Sequence, residues 1–190
     1  MDPAKYCGYI LSTVEQTWNL KNDGSLEEDR IFFSNVRPLL ENLPKNVLDI
    51  WSYVFAEIMN NAIEHSEATE IKYSIKRDCL YTEVSILDNG IGIFKSIQDF
   101  IEKEENKQID IEQAMLELYK GKLTTNPSSH SGEGIFFSSK MLTEFALLSD
   151  NTIFSFRSEE KEKFVQSHLI SYYTKLKKVG TMVVMRLEND

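Results

Sequence analysis

Three polar side chains share one side of a predicted long helix. Glu57, Asn61 and His65 follow one another at intervals of four residues, so each lies about 40° further around the helix axis than the last. Asn61 falls inside the apolar stripe of that helix and Glu57 lies at its edge. A carboxylate and an amide at such positions are costly unless a partner satisfies them. That partner is either a neighbouring loop or a ligand that uses the helix as the floor of its pocket.

Two glycine-containing segments could bring backbone close to a ligand. Asp88-Asn89-Gly90-Ile91-Gly92 follows a predicted strand and is either a hairpin turn or a site where Asp88 accepts from a ligand amine. Ser131-Gly132-Glu133-Gly134 opens a predicted helix and is either a simple cap or a phosphate cradle. Lys95 and Phe137 occupy the positions where a dinucleotide-binding fingerprint would have its third glycine, and Gly121-Lys122-Leu123 lacks the Ser or Thr of a phosphate loop. The two commonest nucleotide-binding motifs are therefore excluded.

Two lysines, Lys120 and Lys122, precede a polar stretch that runs from Thr124 to Ser131. Such a pair is usually a solvated surface feature, and a long polar stretch inside a compact domain is more often a lid than filler. In a chain with a formal net charge of −9, lysines and a divalent cation would be needed to hold a polyphosphate.

The elements that would position these residues follow from periodicity. The clearest pattern predicts an amphipathic helix over Asn46–Ser66, followed by strands over Glu70–Lys76 and Leu80–Leu87. Further helices are predicted over Ala4–Leu20, around Ile31–Leu40, and over Ile97–Lys103, Ile111–Lys120 and Glu133–Leu148. Three closing strands are predicted over Thr152–Arg157, Lys163–Tyr173 and Thr181–Leu187. The fold class is α+β, a mixed and mostly antiparallel sheet covered on one face by helices.

The amino-acid composition argues against several classes of function. The chain has 190 residues, with 21 Lys and Arg against 30 Asp and Glu, a balance that disfavours nucleic-acid binding. No secretory signal or apolar run of membrane-spanning length is visible. Cys7 and Cys79 are too few for a disulfide framework or a zinc site. We therefore expect a cytoplasmic protein that neither binds nucleic acid nor inserts into a membrane.

In combination, the segments resemble the GHKL ATPases, the superfamily of type II topoisomerases, ninety-kilodalton heat-shock chaperones, sensor histidine kinases and MutL. Residues 57–65 resemble the family's asparagine box, residues 88–92 its first glycine box and residues 131–135 its second. Lys120-Gly121-Lys122-Leu123-Thr124-Thr125 further resembles bacterial ATPase domains often fused to a STAS-like domain. Phe136-Phe137 departs from the commonest form of the second box.

The resemblance implies a two-layer α/β sandwich, the Bergerat fold, that binds ATP and magnesium. The ATP-binding domain would span residues 46–190 with a lid at about 94–131, and residues 1–45 would form an N-terminal helical extension. Asn61 would supply an oxygen to Mg²⁺, Asp88 would accept from the adenine amino group, and Glu57 would be the general base. The remaining nucleotide-binding positions would be His65, Gly90, Gly92, Ile93, Lys120, Lys122, Thr124, Ser131, Gly132, Glu133, Gly134, Ile135 and Thr181.

Among members of that superfamily, the chain is most similar to anti-sigma-factor serine kinases. The first histidine, His65, lies inside the implied site, so the N-terminal segment offers no phospho-acceptor histidine. The expected function is a regulatory ATPase or a kinase that phosphorylates a serine on a separate, small STAS-like protein. The alternatives are a non-enzymatic, ATP-gated binding module and an α/β scaffold that retains the motifs without binding nucleotide. Whether the chain forms a homodimer stays open.

Overall fold

A computed structural model describes residues 13–120, 134–149, 152–156 and 180–190. Within these ranges, six strands form one sheet in the order β1-β2-β3-β6-β4-β5, and every neighbouring pair is antiparallel. The α+β class is confirmed, whereas the described strands contain none of the parallel pairing that a mixed sheet requires. The strands are β1 (Val14–Lys21), β2 (Glu70–Arg77), β3 (Tyr81–Asp88), β4 (Glu144–Ser149), β5 (Thr152–Phe156) and β6 (Thr181–Glu188).

Five helices accompany the sheet in the part of the chain that is described. Helix α1 has three consecutive segments, Glu28–Ile31, a π-helical turn over Phe32–Val36, and Arg37–Leu40. Helix α2 runs over Lys45–Asn60 and continues as a π-helical turn over Asn61–His65, which confirms the predicted long helix. The others are α3 (Ile93–Glu105), α4 (Ile111–Lys120) and α5 (Gly134–Met141).

Helix α2 and the sheet share one core. The helix buries Val47, Trp51, Val54, Phe55, Ile58 and Met59, which recur at three- and four-residue spacing. Strand β2 alternates, with Ile71, Tyr73 and Ile75 buried in that same core. A helical layer against a sheet is compatible with a two-layer α/β sandwich.

The helix predicted over Ala4–Leu20 is wrong over the residues that the structure describes, because Val14–Lys21 is a strand. It pairs with β2 over eight consecutive residues, and Trp18 stacks on Tyr73 with ring centroids 4.8 Å apart. Val14, Gln16, Trp18 and Leu20 lie on one face, a period-two pattern that the helix-compatible spacing concealed.

The helix predicted over Glu133–Leu148 is also wrong in its second half. Helix α5 ends at Met141, and Glu144–Ser149 forms a strand between β6 and β5. Phe145, Ala146, Leu147 and Leu148 are all buried. A short continuous apolar run of this kind fits a buried strand or a buried helix equally well by periodicity.

Two further observations bear on the remaining predictions. The strand predicted over Lys163–Tyr173 lies outside the described residues, and so does the whole segment from 121 to 133. Among the helices that are described, none has the length and apolar character needed to cross a bilayer.

Candidate functional site

A cleft opens where the end of helix α2 meets the ends of strands β3 and β6. Its apolar wall includes Ile58, Ile86, Leu147 and Val183. Residues singled out from the sequence also line it: Asn61, His65, Asp88, Gly92, Ile93, Ile135 and Thr181. The fold therefore brings together positions from three of the sequence segments and from the last strand.

Asp88, the last residue of β3, is held by backbone donors. It is 5 % exposed, and its Oδ1 accepts the N–H of Gly90 at 2.8 Å and that of Thr181 at 3.2 Å. Hydrogen bonds to an ionised carboxylate are stronger than neutral ones. These two bonds fix the orientation of the carboxylate.

Gly180 packs against that carboxylate, and sequence reasoning did not count it among the site residues. A Cβ added at Gly180 would overlap Oδ1 of Asp88 and lie 2.5 Å from the backbone nitrogen of Gly90. Its N–H donates to the backbone carbonyl of Asp88 at 2.9 Å. Glycine is required here because neighbouring atoms approach too closely to leave room for a Cβ. In the sequence, the position of Gly180 directly before a predicted strand was the one indication that it belongs to the site.

Gly90 is required by close approach as well. A Cβ at this position would overlap the backbone oxygen of Ser66, which accepts the N–H of Ile91 at 2.9 Å. Ser66 in turn bonds the end of helix α2, since its Oγ donates to the carbonyl of Ala62 at 2.6 Å. Through Ser66, the first glycine segment is therefore hydrogen-bonded to the end of the helix that carries Asn61 and His65.

Asn61 begins the π-helical turn that ends helix α2. Its Nδ2 donates to the backbone carbonyl of Glu57 at 2.8 Å, which leaves the side-chain oxygen as the atom that can accept or ligate. Widened turns of this type are rare and recur at functional sites. Nothing in the residue types of Asn61–His65 predicts the widening, because propensities do not distinguish π from α turns.

Glu57 lies against the first residue of helix α5. A Cβ added at Gly134 would overlap Oε2 of Glu57, and Ile135, the next residue, lines the cleft. The structure therefore juxtaposes the proposed base with the last glycine of the second glycine segment. An acidic group near the beginning of a helix is also favourably placed relative to the helix dipole.

One N–H at the beginning of helix α3 is hydrogen-bonded to two strands, β4 and β6. The N–H of Ile93 donates to Thr181 Oγ1 at 3.0 Å and to Ser149 Oγ at 3.1 Å. Ser149 is 1 % exposed, and its Oγ donates to the carbonyl of Gly180 at 3.0 Å. Gly92, which precedes the helix, has φ +91°, a conformation open to glycine at little cost. Sequence reasoning missed Ser149, since nothing local marks it.

Lys120 is not among the residues that line the cleft. It is the last residue of α4, where its Nζ pairs with Glu117 at 2.6 Å and its side chain is 60 % exposed. Lys122, Thr124, Ser131, Gly132 and Glu133 lie outside the described residues. No group of three or more His, Cys, Asp or Glu side chains that could hold a metal occurs in the described ranges.

The comparisons with known proteins leave the family open. No protein-family model matches the chain, and no curated protein is a significant match.

Proposed function

We propose that the chain is a magnesium-dependent ATP-binding protein of the GHKL class with the Bergerat fold. In this proposal it acts as a regulatory ATPase or as a serine kinase on a small, STAS-like protein. The observation that carries the proposal is the convergence of Asn61, Asp88, Gly92 and Thr181 on one cleft. Asn61 begins the turn that ends helix α2, Asp88 ends β3, Gly92 lies in the loop after β3, and Thr181 begins β6. The resemblance assigns each of them to nucleotide.

The shape and chemistry of the cleft suit the base end of a nucleotide. Its lining is mainly apolar with a few polar groups, as in most small-molecule sites. The aliphatic side chains of Ile86, Leu147 and Val183 offer apolar surface to a flat ring, and Asp88 supplies an acceptor at the end of a strand. A buried, oriented carboxylate accepts from an amine and would repel a carbonyl, which favours adenine over guanine.

The oxygen ligands that the cleft offers suit a Mg²⁺ ion that is held mainly by the phosphates of the nucleotide. Mg²⁺ prefers oxygen ligands and usually takes one or two from the protein, with phosphates and water completing the shell. The amide oxygen of Asn61 is such a ligand, and Asn61 lies on the cleft wall. When bound, the ion would offset phosphate charge next to a protein of net charge −9.

Glu57 is the proposed general base. Its carboxylate lies against Gly134, whose neighbour Ile135 lines the cleft. In the kinase reaction the serine oxygen of the partner forms a bond to the γ-phosphorus, the bond to the bridging oxygen of ADP breaks, and Glu57 takes the hydroxyl proton. In the ATPase reaction, water replaces the serine.

Calorimetry with matched variants tests nucleotide binding. We expect Mg²⁺-ATP to bind the wild-type protein, Asn61→Ala to lose the magnesium-dependent part of the affinity, and Asn60→Ala, the same change one residue earlier, to keep it. An unaltered magnesium dependence in Asn61→Ala would contradict the role of Asn61. A wild-type protein that shows neither heat of binding nor a thermal shift would overturn the proposal.

A second measurement separates an enzyme from an ATP-gated module. With γ-labelled ATP and a cell extract, we expect one labelled protein or released phosphate, and we expect Glu57→Ala to bind ATP without either. Binding without turnover in the wild-type protein, with every extract tested, would favour the gated module.

A further inference from the structure

Strand β1 is a long and regular edge strand of the sheet that the described strands form. Among the described strands, β1 has β2 as its one neighbour. Their pairing runs over eight consecutive residues without a bulge, the strand contains no proline, and most of its side chains are exposed. Natural edge strands are commonly shortened, bulged or interrupted by proline, because an open edge invites another strand. Strand β1 carries none of these three devices.

The outward-facing peptide groups of β1 can be identified from its register. The N–H of Asn22 donates to the carbonyl of Thr69 at 2.8 Å, in line with the pairing of Lys21 with Glu70. Hydrogen-bonded and non-hydrogen-bonded pairs alternate along an antiparallel ladder. The N–H and C=O groups that point away from β2 therefore belong to Glu15, Thr17, Asn19 and Lys21.

We propose that this edge pairs with β1 of a second copy of the chain, antiparallel, about a twofold axis at Trp18. In that register Glu15 lies opposite the partner's Lys21, and Thr17 lies opposite the partner's Asn19. All four outward-facing residues then form hydrogen-bonded pairs, and the two six-stranded sheets become one continuous sheet.

Charge complementarity selects this register among those that the outward-facing groups allow. Glu15 and Lys21 lie on the same face of the sheet, and opposite charges directly across a strand pair are stabilising. Moving the axis to Asn19 would place Glu15 opposite Asp23, a pair of like charges. Moving it to Thr17 would place Glu15 opposite Asn19 and lose both charge pairs.

The aromatic residue at the axis adds to the pairing. Trp18 is partly buried, with one ring face stacked on Tyr73 at 4.8 Å. At the axis, Trp18 and its symmetry copy form a non-hydrogen-bonded pair, the type in which side chains approach most closely. Cross-strand aromatic pairs of this kind are stabilising.

Sedimentation equilibrium of the full chain tests the proposal, with and without nucleotide. This inference does not depend on the proposed function, so a protein that dimerises without binding ATP would contradict the function alone. We expect a reversible dimer in the wild-type protein. Glu15→Lys and Lys21→Glu should each weaken it by about tenfold or more, since two attractive pairs become repulsive.

The double variant Glu15→Lys/Lys21→Glu recreates both pairs and should restore dimerisation. Glu112→Lys, the same charge change at an exposed position of α4, should leave it unaltered. Thr17→Pro removes an outward-facing N–H, so it should abolish the dimer while the monomer keeps its circular dichroism spectrum. A wild-type monomer at all concentrations, single charge reversals without effect, or a double variant that stays monomeric would overturn the proposal.

Discussion

The carboxylate of Glu57 rests against the bare backbone of Gly134, so a side chain of any size at Gly134 would collide with Oε2 of Glu57. The two residues are far apart in the sequence, one on helix α2 and the other at the beginning of α5. Their contact places the proposed base beside the segment that is proposed to close over phosphate. The space at Gly134 is therefore set by Glu57, and the energies of the two positions must be coupled.

A double-mutant cycle tests that coupling. Gly134→Ala should lower the free energy of unfolding by at most about 1 kcal/mol, because the added methyl group displaces the carboxylate end of a flexible side chain rather than backbone. In the background of Glu57→Ala the same change should cost at least about 0.5 kcal/mol less, because the obstructing carboxylate is gone. Urea unfolding of the four proteins measures both values. Strictly additive effects would mean that the two residues do not share this space.

Asp88→Asn tests recognition of the base. The amide keeps a carbonyl oxygen that can accept from the N–H groups of Gly90 and Thr181, so the fold should be preserved. It loses the negative charge that attracts an amino group, and we expect the affinities for ATP and ADP to fall by similar factors, since both carry adenine. Calorimetry with the two nucleotides measures this. A loss confined to ATP would place Asp88 near the phosphates instead.

Gly180→Ala should be more damaging than Gly24→Ala. At Gly180 the added Cβ meets the backbone nitrogen and oxygen of Gly90 as well as Asp88, and neither backbone atom can move freely. At Gly24 there is nothing within 4 Å, and the cost is that of a φ of +84°, about 1–2 kcal/mol. We expect a larger drop in melting temperature for Gly180→Ala than for Gly24→Ala, and weaker nucleotide binding for Gly180→Ala alone. Equal losses of stability with intact binding would contradict the close packing at Gly180.

Tyr73 should make stability fall at alkaline pH. Its side chain is fully buried, and burial raises its pKa above the value of 10.0 of a free tyrosine, although the hydrogen bond donated by Asn35 at 2.7 Å acts in the opposite direction. Above pH 10 the unfolded chain therefore releases this proton first. The free energy of unfolding should then decrease as pH rises, by up to about 1.4 kcal/mol per pH unit until the folded-state pKa is reached.

The comparison with Tyr73→Phe isolates this contribution. Urea unfolding at about pH 9 and about pH 11 should show a steeper loss of stability in the wild-type protein than in the variant. The variant itself starts from a lower stability, because Asn35 loses a partner. Parallel losses in the two proteins would show that Tyr73 does not titrate across this range.

Much of the candidate site follows from local sequence patterns. The apolar spacing of α2 places Asn61 and His65 on one side of a helix, and the strand pattern before Asp88 places that carboxylate at a strand end. Both predictions need only the periods of a helix and a strand. The residues that hold the site in place were harder to foresee, because their partners are distant in sequence. Ser149 and Ile93 are 56 positions apart, and no local pattern indicates their hydrogen bond.

The two incorrect elements fail for a common reason. In β1, the apolar residues are spaced in a way that is compatible with a helix as well as with a strand. In β4, four consecutive apolar residues are compatible with the periodicity of either element. In both cases the neighbouring strand decides the conformation. Strand β1 is fixed by its register with β2, and β4 by its position between β5 and β6.

The two hydrogen bonds of the Ile93 N–H affect where the chain can accept inserted residues. One end of the stretch from Ile93 to Gly134 is anchored on Ser149 and Thr181, and the other abuts Glu57. The connection between α3 and α4, residues 106–110, is largely exposed. Extra residues inserted there would cost little more than loop-closure entropy, about 0.6 kcal/mol for each doubling of length. Insertions at that connection should therefore leave the shape of the cleft unchanged.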